Sequence, residues 1–148
     1  MTMIRTCVLT MSSVSLASLL GRATTTSSGT TTPHAVNTIT TTSYNRQLGK
    51  RIPIRTFSVE DTVACLVDFA WSDVTRPAGD HMVQWRWYRD GTLVSQAEKK
   101  MTFSTSPYTT WTTRAASSLG PGQYKVETLL DGQPASLYCE FQIKAQQS

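Results

Sequence analysis

Val83-Gln84-Trp85-Arg86-Trp87-Tyr88-Arg89-Asp90-Gly91-Thr92-Leu93-Val94 reads as a strand, a two-residue turn and the start of a second strand. Val83, Trp85 and Trp87 alternate with Gln84, Arg86 and Tyr88, so one face is apolar and the other polar. A period of two is the mark of a half-buried β-strand. Asp90-Gly91 then supplies the two positive φ angles that a two-residue hairpin turn requires. The Trp strand is therefore expected to carry its indoles inward and to pair with the segment that follows.

The same period recurs on both sides of this hairpin. Upstream, Val63, Cys65, Val67, Phe69 and Trp71 alternate with Thr62, Ala64, Leu66, Asp68 and Ala70. Downstream, Tyr124, Val126, Thr128 and Leu130 alternate with Lys125, Glu127 and Leu129. Leu137, Cys139, Phe141 and Ile143 alternate with Tyr138, Glu140 and Gln142. Asp131-Gly132 marks a second hairpin, and Gly120-Pro121-Gly122 a further turn. Shorter strands are expected through 92–96 and 111–115. No stretch has a helical period. Six or seven short strands with frequent turns predict an all-β, antiparallel sandwich.

The chain has 148 residues and a formal net charge of +4, but the charge is uneven. All ten acids lie from Glu60 onward, where eight of the fourteen cations also lie, so that part carries 8 − 10 = −2. The excess of positive charge is upstream, with Arg46, Lys50, Arg51 and Arg55 close together and no acid among them. The basic balance thus belongs to the segment before the sandwich, and does not predict a nucleic-acid-binding surface on the folded part.

Three regions follow. Residues 1–23 hold Arg5 and then an uncharged apolar run from Cys7 to Leu20, which reads as an export signal; the plain alternative is an ordinary N-terminus of a cytosolic protein. The run is too short to form a permanent membrane span. Residues 24–56 are expected to form a flexible Thr-rich stalk and a basic linker, since ten of residues 24–42 are threonine. Within the linker, Arg51-Ile52-Pro53-Ile54-Arg55 is a candidate short edge strand. Residues 57–148 are left for the sandwich.

Taken together, 83–94, the run Leu119-Gly120-Pro121-Gly122-Gln123-Tyr124-Lys125-Val126, Asp131-Gly132 and the closing Phe141 and Ile143 resemble small bacterial extracytoplasmic immunoglobulin-like domains. The resemblance covers roughly 60–144 and implies an immunoglobulin-like sandwich of six to seven strands after a disordered N-terminal arm. Most such domains have no known activity. One departure stands out: antibody-type domains join their second strand to their sixth, whereas Cys139 here lies on the last strand.

Cys65 and Cys139 share parity with large apolar neighbours, so both are expected to face inward. In an exported protein they would form a disulfide; in a reducing cytosol they would remain buried thiols. Their spacing does not suit a metal site, and only His34 and His81 are available as further ligands. His81 follows Asp80, but no Gly-x-Ser-x-Gly turn offers a nucleophile, so no catalytic residue and no cofactor are assigned. Trp71, Phe103, Tyr108 and Trp111 are the candidate binding residues. Aromatic rings beside the hydroxyls of 104–110 can form a platform for a sugar or a protein, or else cover the end of a thin core. Gln84, Arg86 and Tyr88 form a recognition face or a merely solvated one.

The expectation is a non-catalytic, secreted or periplasmic binding module with a protein or glycan partner outside the cytoplasm, and no nucleic acid. The basic linker is a candidate for weak contact with an anionic surface such as lipid headgroups. Alternatives are a structural subunit of a surface or phage-like assembly, or a small exported enzyme inhibitor or accessory factor.

Overall fold

The computed structural model describes residues 30–147. The expected export signal lies outside these residues. In chain order they form β1 (His34–Thr42), α1 (Ser43–Gln47), β2 (Thr56–Phe57), β3 (Thr62–Ala70), β4 (Gly79–Arg89) and β5 (Thr92–Phe103). β6 (Tyr108–Ala115), the helical turn α2 (Ala116–Leu119), β7 (Gly122–Leu130) and β8 (Gln133–Ile143) complete the order. A three-stranded sheet, β1-β3-β6, faces a five-stranded sheet, β2-β8-β7-β4-β5. All pairings are antiparallel except β2 with β8. This is an immunoglobulin-like sandwich, with eight strands among the described residues where six or seven were expected.

Both Asp-Gly turns are tight hairpins. Asp90 and Gly91 have φ of 46° and 84°, Asp131 and Gly132 of 50° and 81°. Arg89 pairs with Thr92, and Leu130 with Gln133. The registers these turns impose send Val83, Trp85, Trp87, Tyr124, Val126, Cys139, Phe141 and Ile143 inward, where all are buried. Phe141 sits at the centre of the rings, stacked on Tyr124 at 5.1 Å and edge-on to Phe57 at 5.4 Å.

The Thr-rich stalk is a correction. From His34 to Thr42 it is β1, hydrogen-bonded along β3. Low complexity made this stretch look like a stalk, but threonine is β-branched and fits a pleated, half-buried surface. Its hydroxyls also find acceptors: Thr38 donates to the Tyr138 carbonyl and Thr40 to that of Ile54. The linker is not free either. Thr42 caps α1 by accepting the Asn45 N–H, Ile54 N–H bonds Thr40, and the strand contact expected at 51–55 falls at Thr56–Phe57. α1 lies against β1 and β3, and Arg51 beyond it pairs with Asp68 at 2.6 Å on the outer side of the three-stranded sheet. That cover explains why Ala64 and Leu66, on the side of β3 away from the core, are buried too.

Cys65 on β3 and Cys139 on β8 form a disulfide across the two sheets, with Cα atoms 6.4 Å apart. Relative to antibody-type domains the second half-cystine has moved one strand along: on β7, Val126 stands opposite Cys139 in register.

The corner between β6 and β7 is fixed by Tyr124. Its hydroxyl lies 2.6 Å from the Leu119 carbonyl oxygen and 2.7 Å from that of Gly120, while Arg89 Nη1 donates to the same Leu119 oxygen. A tyrosine at this corner bonding back to upstream backbone is a recurrent immunoglobulin-fold device. Burial pushes the Tyr124 phenol above its ordinary pKa, against the pull of Arg89. Tyr124→Phe leaves the ring stack intact and removes the donor, so it is expected to cost about 1–3 kcal/mol in urea denaturation with the slope unchanged. A loss below about 0.5 kcal/mol would show that water replaces the hydroxyl without penalty.

Candidate functional site

The parity that buries Trp85 and Trp87 turns Arg86 and Tyr88 to the outer face of the five-stranded sheet. The ladders align this face in two rows. Tyr88 on β4 stands opposite Lys125 on β7, which stands opposite Glu140 on β8. Arg86 stands opposite Glu127, which stands opposite Tyr138. Cations, carboxylates and tyrosines therefore interleave across three strands.

Within the face, Lys125 Nζ is 2.8 Å from Glu127 Oε1 and 4.6 Å above the Tyr138 ring. The hydrogen bond from Lys125, with further help from Tyr88 and Arg86, holds the Glu127 carboxyl below its usual pKa. The same bond raises Lys125. A depression of about 520 Å³ opens beside these groups, between Tyr88, Lys125, Glu127 and Glu140 and the turn at Asp90-Gly91. The turn is held in place: Asp90 N–H donates to the Gln123 carbonyl at 2.9 Å, and the Asp90 carboxylate accepts the Gln123 N–H. Strands supply the side chains and a pinned hairpin supplies the rim, so the site is preorganised.

The predicted aromatic platform divides instead. Phe103 and Trp71 are buried, and Tyr108 is half-buried. Phe103 stacks on Tyr108 at 4.6 Å and on Trp71 at 6.2 Å, and the Trp71 indole N–H donates to the Arg76 carbonyl. These three rings close one end of the core. Trp111 is 44% exposed and lies on the other side of the three-stranded sheet, under the Arg46 guanidinium at 4.9 Å. The separation follows from parity on β6: Thr110 and Thr112 are buried, so Trp111 must face out. Grouping the rings by type hid a period that the neighbouring threonines carry.

His81 pairs with Asp131 and not with its neighbour Asp80. Its Nδ1 is 2.6 Å from Asp131 Oδ2, and Asp131 Oδ1 accepts the Met82 N–H at 2.8 Å. Burial alone would raise the Asp131 pKa; the bonds from His81 and Met82 outweigh it and hold the carboxyl low. Asp80 is taken by Lys100 and Thr102. These contacts brace the β7–β8 hairpin against β4, and among the described residues no hydroxyl or thiol is bonded to His81. Among the described residues no three His, Cys, Asp or Glu side chains gather as a ligand set.

No protein-family model matches the chain, and no curated protein matches it in sequence. Solved structures do. The fold is shared with an immunoglobulin-like protein of Pseudomonas aeruginosa at a TM-score of 0.50 and 6% identity, over 76% of this chain and 97% of that one. It is also shared with the alkylpurine DNA glycosylase AlkC of Pseudomonas fluorescens, solved bound to DNA containing an abasic site analog. There the TM-score is 0.52 at 10% identity, over 76% of this chain and 30% of the glycosylase. The chain thus spans under a third of that enzyme. A CARDB domain of Pyrococcus furiosus overlaps less well, at a TM-score of 0.40 and 12% identity, over 76% of this chain and 94% of that domain. At these identities the likeness concerns fold alone.

Proposed function

We propose that this chain is a non-catalytic interaction module that works outside the cytoplasm and binds a protein or glycan partner through the outer face of its five-stranded sheet. The observation that carries the reading is the pair of cross-strand rows, Tyr88–Lys125–Glu140 and Arg86–Glu127–Tyr138. Tyrosine and arginine are the residue types that most often dominate binding energy, because they bring large contact area with polar ends. A location outside the cytoplasm is supported by the disulfide, which reducing compartments do not maintain. A DNA ligand, as in the glycosylase structure, suits this face poorly. Lys125 and Arg86 are matched there by Glu127 and Glu140, with Asp90 at the rim, and phosphate binding needs a net positive surface. An inhibitor acting through a 103–111 loop loses its anchor, because Phe103 is buried.

The test is Tyr88→Ser with Lys125→Glu, compared with the unaltered protein on a glycan array and in pull-downs from the extracytoplasmic fraction. The ligand that the unaltered protein selects is expected to bind the variant at least about tenfold more weakly, with little change in Tm. A ligand held equally by both would move the site elsewhere.

A further inference from the structure

His81 shares the inward parity of Val83 and Trp85 on β4 and meets Phe103 at 5.0 Å at the end of the core. Both of its ring nitrogens face acceptors. Nδ1 is 2.6 Å from the Asp131 carboxylate, and Nε2 is 3.2 Å from the Ala78 carbonyl oxygen. Burial alone would raise the Asp131 pKa, but the bonds from His81 and Met82 hold it low, so this carboxyl is ionised throughout the imidazole range. Neither oxygen can then donate. The ring satisfies both only with a proton on each nitrogen, that is, when it is charged. A neutral ring carries one proton, and that proton stays on Nδ1 because the ionised carboxylate is the stronger acceptor. Nε2 then turns a lone pair on the Ala78 oxygen. The peptide that carries this oxygen has room to turn away. It is followed by Gly79, at φ 89°, where a Cβ would meet nothing within 4 Å.

We propose that His81 is a proton-operated latch on the connection from β3 to β4. Charged, it holds the Ala78 carbonyl. Neutral, it keeps Asp131 and releases Ala78, and the Ala78–Gly79 peptide turns toward water. The other charged and titratable groups around the ring have partners of their own or stand in solvent. Asp80, next on β4, is bonded by Lys100 and Thr102 of β5. Asp73, in the connection, accepts from Thr75. Arg76 in the connection, Lys99 on β5 and His34 on β1 are exposed, the last bordering the same depression of about 330 Å³ as His81 and Asp131. Release loosens a segment that closes the core, since the buried Trp71 donates its indole N–H to the Arg76 carbonyl within it. The charged ring is the form that the fold satisfies. The restraint is therefore present below the ordinary imidazole value of about 6.5 and is lost as the pH rises through the value in the folded protein.

The test is NMR of the nitrogen-labelled full chain between about pH 5 and about pH 8.5. Imidazole nitrogen signals report charge and tautomer. Amide protection factors, which remove the intrinsic pH dependence of exchange, report the latch. As the pH rises His81 is expected to lose its Nε2 proton, and protection at Ala78 and Gly79 to fall about tenfold in step with it. Asp131→Asn should hold the latch shut at every pH. The carboxamide donates to Nδ1, its oxygen still accepts the Met82 N–H, and a neutral ring keeps its proton on Nε2 for Ala78. Asparagine also tolerates the positive φ of this turn. His81→Phe keeps a ring against Phe103 without either donor, and should leave protection low at every pH. A neutral His81 with its proton on Nε2 in the unaltered protein, protection that does not follow its titration, or a pH dependence that survives Asp131→Asn would each overturn the proposal.

Discussion

Replacing Cys65 and Cys139 together with alanine is expected to lower the unfolding free energy by about 4 kcal/mol. The two residues are 74 apart in sequence, so the bridge closes a loop that takes in most of the sandwich. Closing a loop of that length removes about 15 cal/mol/K from the unfolded chain, which gives about 4 kcal/mol at 25 °C. The effect should be near its full size because the bridge joins the two sheets to each other, and the remaining links between them are mostly side-chain packing across a small core. A stability change of this order corresponds to a fall in Tm of roughly 10–20 °C in a domain of this size. Guanidinium denaturation of the double variant beside the oxidised protein measures it. A difference below about 1 kcal/mol would mean that the sheets hold together without the staple, and would remove the support the bridge lends to an extracytoplasmic location.

Strict alternation made the inward direction of both cysteines legible, while the choice between a bridge and two buried thiols stayed open. Cys65 and Cys139 could be turned inward on paper because Val63, Val67, Phe141 and Ile143 share their parity, and all are buried. The Asp-Gly pairs were legible for a different reason. Their information is local, a backbone conformation that few residue pairs adopt, and it does not depend on what packs nearby. The five-stranded sheet is therefore readable in outline, and with it the outward polar face of the Trp strand.

Features that rest on tertiary contact were not readable. β1 failed because composition treats threonine as a polar filler, whereas its strand-forming value appears only once β3 offers an edge to pair with. Arg46 and Arg51 looked like free linker charge; one lies on Trp111 and the other on Asp68, partners distant in sequence. His81 follows Asp80 in sequence, but the hairpin brings Asp131 to it from 50 residues away, which adjacency does not reveal. Tyr124 was assigned to a strand, but its bond to the preceding corner was missed. The usable signal was an inward-facing tyrosine just after Gly120-Pro121-Gly122, whose buried hydroxyl had to find an acceptor close by. The candidate site itself was half visible: Arg86 and Tyr88 came from one strand's parity, but the rows that join them to Glu127, Lys125, Tyr138 and Glu140 needed the registers of two ladders.

Phe103→Ala should be as damaging as loss of the disulfide, at about 3–5 kcal/mol. The ring is fully buried and meets four others, Phe69 at 5.5 Å, Trp71 at 6.2 Å, His81 at 5.0 Å and Tyr108 at 4.6 Å, so its removal leaves a cavity that no single neighbour can fill. Its position on the strand adds to the cost. β5 is an edge strand whose side chains are otherwise exposed or half-buried, and Phe103, its last residue, is the one that reaches the core. The Phe103 carbonyl also accepts the Ala78 N–H at 3.0 Å, tying β5 to the start of β4. The variant should therefore lose hydrogen-exchange protection first along the C-terminal half of β5, in addition to its global loss of stability. Trp111→Ala is the matched control. That ring is half exposed and its named partner is the Arg46 guanidinium, so its loss should cost no more than about 1 kcal/mol. If instead Phe103→Ala kept its stability and lost a ligand, the ring would belong to a binding surface, as its aromatic character alone first suggested. The four-ring contact argues otherwise: a side chain with no accessible surface can shape a site only by holding up the sheet that carries it.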